Sequence, residues 1–245
     1  THNDLAEPYL LGISSGASTG AVVAILFSTW QYGIIAGAAV GALVSFGRLR
    51  LLLRNSAADA ARVVLTGVLI GFLFQSLTSL IVTASGNAES TRGIMFWLLG
   101  VLSAARWYTV IAVFIVGTLG TVALWMMSRY LDALSLGDAT ASTMGIPVVA
   151  LRYAVLVAVS LMTAATVASV GAIGFVGLIV PHAVRMMSGP RHASLIPISA
   201  VVGAITLVVA DAIARALFAP QELPVGVITA LIGVPAFFLI LRRKH

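Results

Sequence analysis

Two stretches of this 245-residue chain carry residue types and spacings that could do chemistry. Gly12-Ile13-Ser14-Ser15-Gly16 has the G-x-S-x-G spacing of a nucleophile elbow, where a strand-to-helix turn presents a serine hydroxyl. A serine nucleophile needs a base. The four histidines, His2, His182, His192 and His245, are not paired by spacing with any carboxylate, and the motif opens an apolar run rather than following a strand. An intramembrane hydrolase using Ser14 is the weakest reading carried forward. The second stretch holds Asp211 and Arg215, four apart with the acid first, which is the favourable helical pairing. Ionisable groups on an apolar run are also functional candidates by default, and the sequence leaves both readings open. Gln75 is the only other long polar side chain near the middle of an apolar run.

What is missing narrows the chemistry further. With no cysteine there are no disulfides and no thiolate chemistry. The only lysine is Lys244, so the phosphate-cradling pattern GxxxxGK[ST], which needs an internal lysine, does not occur.

The elements that must position these residues follow from composition. Hydrophobic residues make up 60% and charged residues 9% of the chain, where a soluble domain carries about 25% charged residues. The mean hydropathy is +1.08. So few charges cannot cover a water-soluble globule, and the long unalternating runs are not those of a membrane β-barrel. The reading is all-α: one polytopic transmembrane bundle over 1–245. Breaks at charge and Pro/Gly clusters give eight spans, near 13–30, 33–52, 62–84, 107–128, 150–170, 173–187, 194–217 and 225–241. The segment 85–106 begins too polar to span, and Met95 to Leu99 mark a short interfacial or re-entrant helix. The segment 129–149 reads as short helices outside the bilayer.

Charge then sets the topology. Placing Arg242, Arg243 and Lys244 in the cytoplasm puts eleven of the fourteen basic residues inside, leaving only Arg92, Arg106 and Arg215 outside. The net charge of +6 is thus a topology signal and does not point to nucleic acid. Glycines recur every fourth residue at Gly12, Gly16 and Gly20 and at Gly33, Gly37 and Gly41, a spacing that puts them on one helix face for close packing. Gly67 and Gly71 share the same spacing. Ser135-Leu136-Gly137-Asp138 has capping-box spacing with Asp for Glu, and the small residues after it form either an ordinary loop helix or a docking surface.

Read together, the motifs resemble those of the FecCD family, permease subunits of ABC importers for ferric siderophores, haem and vitamin B12. The similarity runs through Asn3-Asp4-Leu5-Ala6-Glu7-Pro8 and YLLGISSGAS, then FWLLGVLSAARW at 96–107 and LSLGDATASTMGI at 134–146. It continues through GAIGFVGLIVPHAVRMMSGPRH at 171–192, DAIAR at 211–215 and ELPVGVITALIGVP at 222–235. Asp4 stands where the family usually has proline. Family members have ten spans, so two N-terminal helices are expected upstream of this chain, which begins at Thr1.

The resemblance implies a multi-pass protein of the bacterial cytoplasmic membrane. Two copies would share a pathway, two ATP-binding subunits would attach from the cytoplasm, and an external substrate-binding protein would dock outside. It implies that Leu136, Gly137, Asp138, Ala139, Ala141 and Gly145 belong to the ATPase-coupling loop. Arg92, Arg106 and Arg215 would meet acidic groups of the binding protein. No resident cofactor or metal is implied, since iron, if carried, travels within its chelate. The rival is an ion-coupled secondary transporter, whose marks would be inverted repeats with broken helices and several intramembrane charges. The sequence displays neither.

Overall fold

In a bilayer, backbone groups must be satisfied within the segment, so apolar runs of this length become helices. The computed structural model describes residues 12–28, 30, 32–53, 60–85, 88–217 and 222–242. Among them the elements are α1 (Ile13–Phe27), α2 (Gly33–Leu53), α3 (Ala60–Ala84), α4 (Ala88–Leu98), α5 (Trp107–Met126), α6 (Ser128–Ser135), α7 (Asp138–Thr143), α8 (Val148–Val170), α9 (Val176–Ser188), α10 (His192–Ala216) and α11 (Val225–Arg242), with a 3-10 turn at Leu102–Ala104. Each of the eight expected spans corresponds to one helix. The segment 85–106 carries α4 and the 3-10 turn, and 129–149 carries α6 and α7.

The spans are unequal. Among the described residues, four helices, in α3, α5, α8 and α10, are long and apolar enough to cross a membrane. The shortest of the eight is the run at 173–187, already brief in the sequence and interrupted by Pro181. Its helix, α9, starts only at Val176 and has 13 residues, which at about 1.5 Å per residue is near 20 Å against a hydrocarbon core of about 30 Å. The cause is local. Gly171 has φ 78°, residues 171–174 leave the helix, and Phe175 caps α9 from the left-handed region at φ 68°, where a bulky residue is rare.

The centre of the bundle is α1 against α2 and α3. Gly16 lies against the carbonyl of Gly41, Gly20 against that of Gly37, and each relation is reciprocal. A Cβ on Gly16 would come within 2.6 Å of the Gly41 oxygen. These glycines let two backbones touch where side chains would hold them apart. Gly12 lies against the Gly67 carbonyl and the Gly71 amide of α3. Gly33 instead faces Ser28 in the connection before its own helix. Around this crossing Ile13, Ala17, Ala21, Ala38 and Ala42 pack with Ala164, Val167 and Ala168 of α8. The polar contacts inside are short: Thr19 Oγ1 lies 2.7 Å from Thr78 Oγ1, and Ser45 Oγ donates to the Gly12 carbonyl at 2.7 Å.

Candidate functional site

Three surfaces are the candidates, and the helices just described position each. The first is the short-helix pair α6–α7. Ser135 does not cap α7. It closes α6, its hydroxyl donating to the Asp132 carbonyl at 2.6 Å, and Gly137, with φ 106°, is the residue before α7. The capping-box expectation therefore fails, because a turn needing positive φ at Gly137 lies between the two residues. Asp138 instead pairs across to Arg152 in the first turns of α8, 2.7 Å apart, both about half exposed. Leu136 and Met144 are 64% and 62% exposed, and Ala139 and Gly145 are exposed beside them. Ala141 has no exposure at all. It packs inside the loop and cannot itself be part of an outward docking surface.

The α6–α7 pair is also tied to α10. Asp132 Oδ1 accepts from the His192 backbone N–H at 2.9 Å and lies 2.6 Å from His192 Nδ1. Trp125 Nε1 donates to the Ala193 carbonyl at 3.0 Å. Partial burial pushes the Asp132 carboxyl up, but the His192 backbone N–H, the His192 ring and Arg191 more than offset this, so it titrates below the ordinary aspartate value.

The second surface is the opposite end of the bundle, where the segment after α4 meets the start of α9 and α11. Here Val101 donates to the Val170 carbonyl at 2.8 Å, Gly171 abuts the Trp97 carbonyl, and Gly226 abuts the Leu99 carbonyl. Gly100, at φ 85°, completes the contact. The sequence reading did not single out Gly100, Gly171 or Gly226. Each lies inside a motif quoted above, but they are far apart in sequence and share no helical spacing. Trp30, Tyr32 and Tyr108 stack edge to face at the same end, with centroids 5.7 and 5.9 Å apart. Arg92 and Arg106 are exposed there. Arg215 is engaged: its Nε donates to Asp211 Oδ2 at 2.8 Å, so the helical pair left open by the sequence forms. These three arginines are not brought into one cluster by any contact among them in the described structure.

The third surface is one face of α3. Its buried side, Gly67, Ile70, Phe74, Thr78 and Val82, packs inward, while Gln75, Ser76, Ser79 and Thr83 are exposed within a narrow arc on the outer side. A polar patch in the C-terminal half of an apolar helix is poorly suited to lipid.

Ser14 lies within helix α1, buried, at the edge of a largely apolar cavity of about 610 Å³ between α5, α8 and the start of α9. The residues before Gly12, where the strand of a nucleophile elbow would lie, are outside the described residues. No cluster of metal-ligating side chains occurs among the described residues. His2, His245 and the Asn3–Pro8 signature lie outside the described residues, as do Gln221, Arg54, Arg243 and Lys244.

Known proteins resemble this chain along its whole length. The cobalamin import system permease BtuC of Halobacterium salinarum is 42% identical over 245 residues, a match covering 99% of this chain and 65% of that protein. The Fe(3+)-citrate import system permease YfmD of Bacillus subtilis is 33% identical, covering all of this chain and 72% of that one. A solved structure of a metal-chelate type ABC transporter in an inward-facing conformation superposes with a TM-score of 0.90 at 32% identity, over 98% of this chain and 77% of the other. The family model for FecCD transport matches residues 1–243, and with the motifs, the all-helical fold and these relatives in agreement, the chain belongs to the FecCD transport family.

Proposed function

We propose that this chain is the membrane-spanning permease part of an ATP-binding cassette importer in a bacterial cytoplasmic membrane. It would move a metal chelate, either a corrinoid or a ferric chelate, without hydrolysing ATP itself. The observation that carries this reading is the end-to-end relationship, residues 1–243, to a family whose named members here are import permeases. The relatives' names include cobalamin, ferric citrate, ferric hydroxamate and molybdate, so they support a metal-containing substrate and the choice of a chelate is this reading's own.

The geometry supports the same division of labour. The α6–α7 pair presents Leu136, Ala139, Met144 and Gly145 outward and is anchored to α8 and α10, as a surface that receives force from a motor must be. Two ATP-binding subunits would seat there. The polar outer face of α3 would turn toward a second copy, so that Gln75, Ser76, Ser79 and Thr83 line a shared water-filled path instead of facing lipid. At the other end Arg92, Arg106 and Arg215 would meet acidic side chains of an external binding protein, contacts that weaken with salt.

The test is reconstitution of the chain with its genomic ATPase and binding protein in liposomes. ATP-dependent accumulation of labelled cobalamin or of a ferric siderophore is the expected result. Transport driven by an ion gradient without ATP, or no ATPase recovered with the chain, would overturn the reading.

A further inference from the structure

The first turn of α10 contains two backbone groups that its own helix does not satisfy. The His192 N–H is one of the orphan donors at a helix start. The Ala193 carbonyl is a less obvious orphan. Its intrahelical donor would be the N–H of residue 197, and residue 197 is proline, which has none. Both groups are satisfied from one place, the corner between α5 and α6. Asp132 accepts from the His192 N–H and contacts the His192 ring, and the Trp125 indole donates to the Ala193 carbonyl. Asp132 lies four residues before Leu136, at the start of the outward-facing loop. It also places a carboxylate at the N-terminal end of a helix dipole, the favourable sense.

From this grip α10 runs 25 residues, about 37 Å at ~1.5 Å per residue, to the opposite end of the bundle. There Ala210 and Ala214 pack with Val225 and Ile228 of α11, together with Leu102 and Ile173. The Ala214 carbonyl also accepts from Leu223. One helix therefore joins the α5–α6 corner at one end to the glycine-packed junction at the other.

We propose that Asp132 and Trp125 are positioning residues that fasten α10 to the α6–α7 loop, so that α10 carries displacement of that loop to the far end of the permease. The loop's role as the motor contact rests on the importer reading above. The attachment itself rests only on these bonds.

The experiment therefore has two arms. The native chain has no cysteine, so a spin-label pair at Tyr130→Cys and Ala193→Cys reports the attachment directly in the full chain in nanodiscs. A single narrow distance is expected, broadened by Asp132→Ala and restored by Asp132→Asn, which keeps an oxygen for the His192 N–H. The second arm measures cobalamin or ferric-siderophore uptake per ATP hydrolysed in the reconstituted complex. Asp132→Ala should lower that ratio clearly, while the motor remains bound and basal hydrolysis continues. Asp132→Asn should recover most of the ratio, and Trp125→Phe, which lacks the indole N–H, should lower it in the same direction.

An unchanged distance distribution in Asp132→Ala would overturn the attachment. A broadened distribution with an unchanged uptake ratio would overturn the transmission. Failure of the wild-type complex to take up either probe would instead overturn the importer reading, and the distance arm would still decide the attachment.

Discussion

The two ends of the bundle are held together by different physics. At one end, Gly100, Gly171 and Gly226 let three chain segments meet backbone to backbone, and the contacts have no room for a single added carbon. At the other, α6 and α7 are held to α8 and α10 by side chains, Asp138 to Arg152 and Asp132 with Trp125 to the start of α10. Close-packed backbone has one arrangement, because interiors at crystal-like density do not deform gradually. Hydrogen bonds and ion pairs at a half-exposed surface can exchange with water and re-form. The comparison teaches that one end is built as a fixed frame, while the other is built as an attachment that can shift without unfolding the helices it joins.

The sharpest way to break this contrast is at Gly226. A side chain there meets the Leu99 carbonyl, so Gly226→Val should force α11 away from the segment after α4. Overpacking typically costs ~1–3 kcal/mol and more where backbone blocks relief. The expected outcome is loss of monodisperse protein on size-exclusion chromatography. Normal thermal stability of this variant would show that the junction is looser than its geometry.

The next effect separates two neighbouring alanines. Ala141→Trp should destabilise the chain, since Ala141 is enclosed, whereas Ala139→Trp should leave folding intact and block association with the ATPase, since Ala139 is exposed. Thermal melting and co-purification, run on both variants, read the difference. Equal behaviour of the two would remove the outward face of α7 from the docking surface.

The third concerns pH. The Asp132 carboxyl titrates below its ordinary value in the folded chain. Its contribution is therefore complete above the unfolded value of about 4 and is lost as pH falls through the lower, folded value. Across the acid range, the distance between α6 and α10 should broaden in wild type but stay insensitive in Asp132→Asn. Broadening that is identical in both proteins would assign the acid effect to another group.

The smallest effect is expected at Asp138→Asn. An ion pair this exposed contributes about 0–1 kcal/mol and is screened by salt. Melting temperature should change little, and less still at high ionic strength. A large loss would mean that the loop depends on this pair far more than its exposure implies.

Much of this organisation is legible in one dimension. Helices announce themselves through unbroken apolar length, and the α1–α2 crossing through glycines spaced four apart, because both signals repeat along a single helix. Asp211 and Arg215 are likewise a local pair, and the i,i+4 geometry that brings them together is a property of any helix. The family motifs extend along the chain in order, and so point to its relatives before any contact is known.

What depends on three dimensions is of another kind. Nothing local tells Ala141 from Ala139, because the enclosure of Ala141 comes from how a six-residue helix folds back on its neighbours. That α9 begins only at Val176 goes with a left-handed Phe175, a conformation a bulky residue rarely adopts and that the sequence does not announce. Gly100, Gly171 and Gly226 lie up to 126 positions apart by their own numbering, and Asp132 and His192 are separated by 60. Periodicity reports which face of one helix is buried. It carries no information about which distant atom completes a hydrogen bond, and Pro197 shows why: the proline reveals that the Ala193 carbonyl needs a donor, but only the packing of α5 against α10 makes Trp125 that donor.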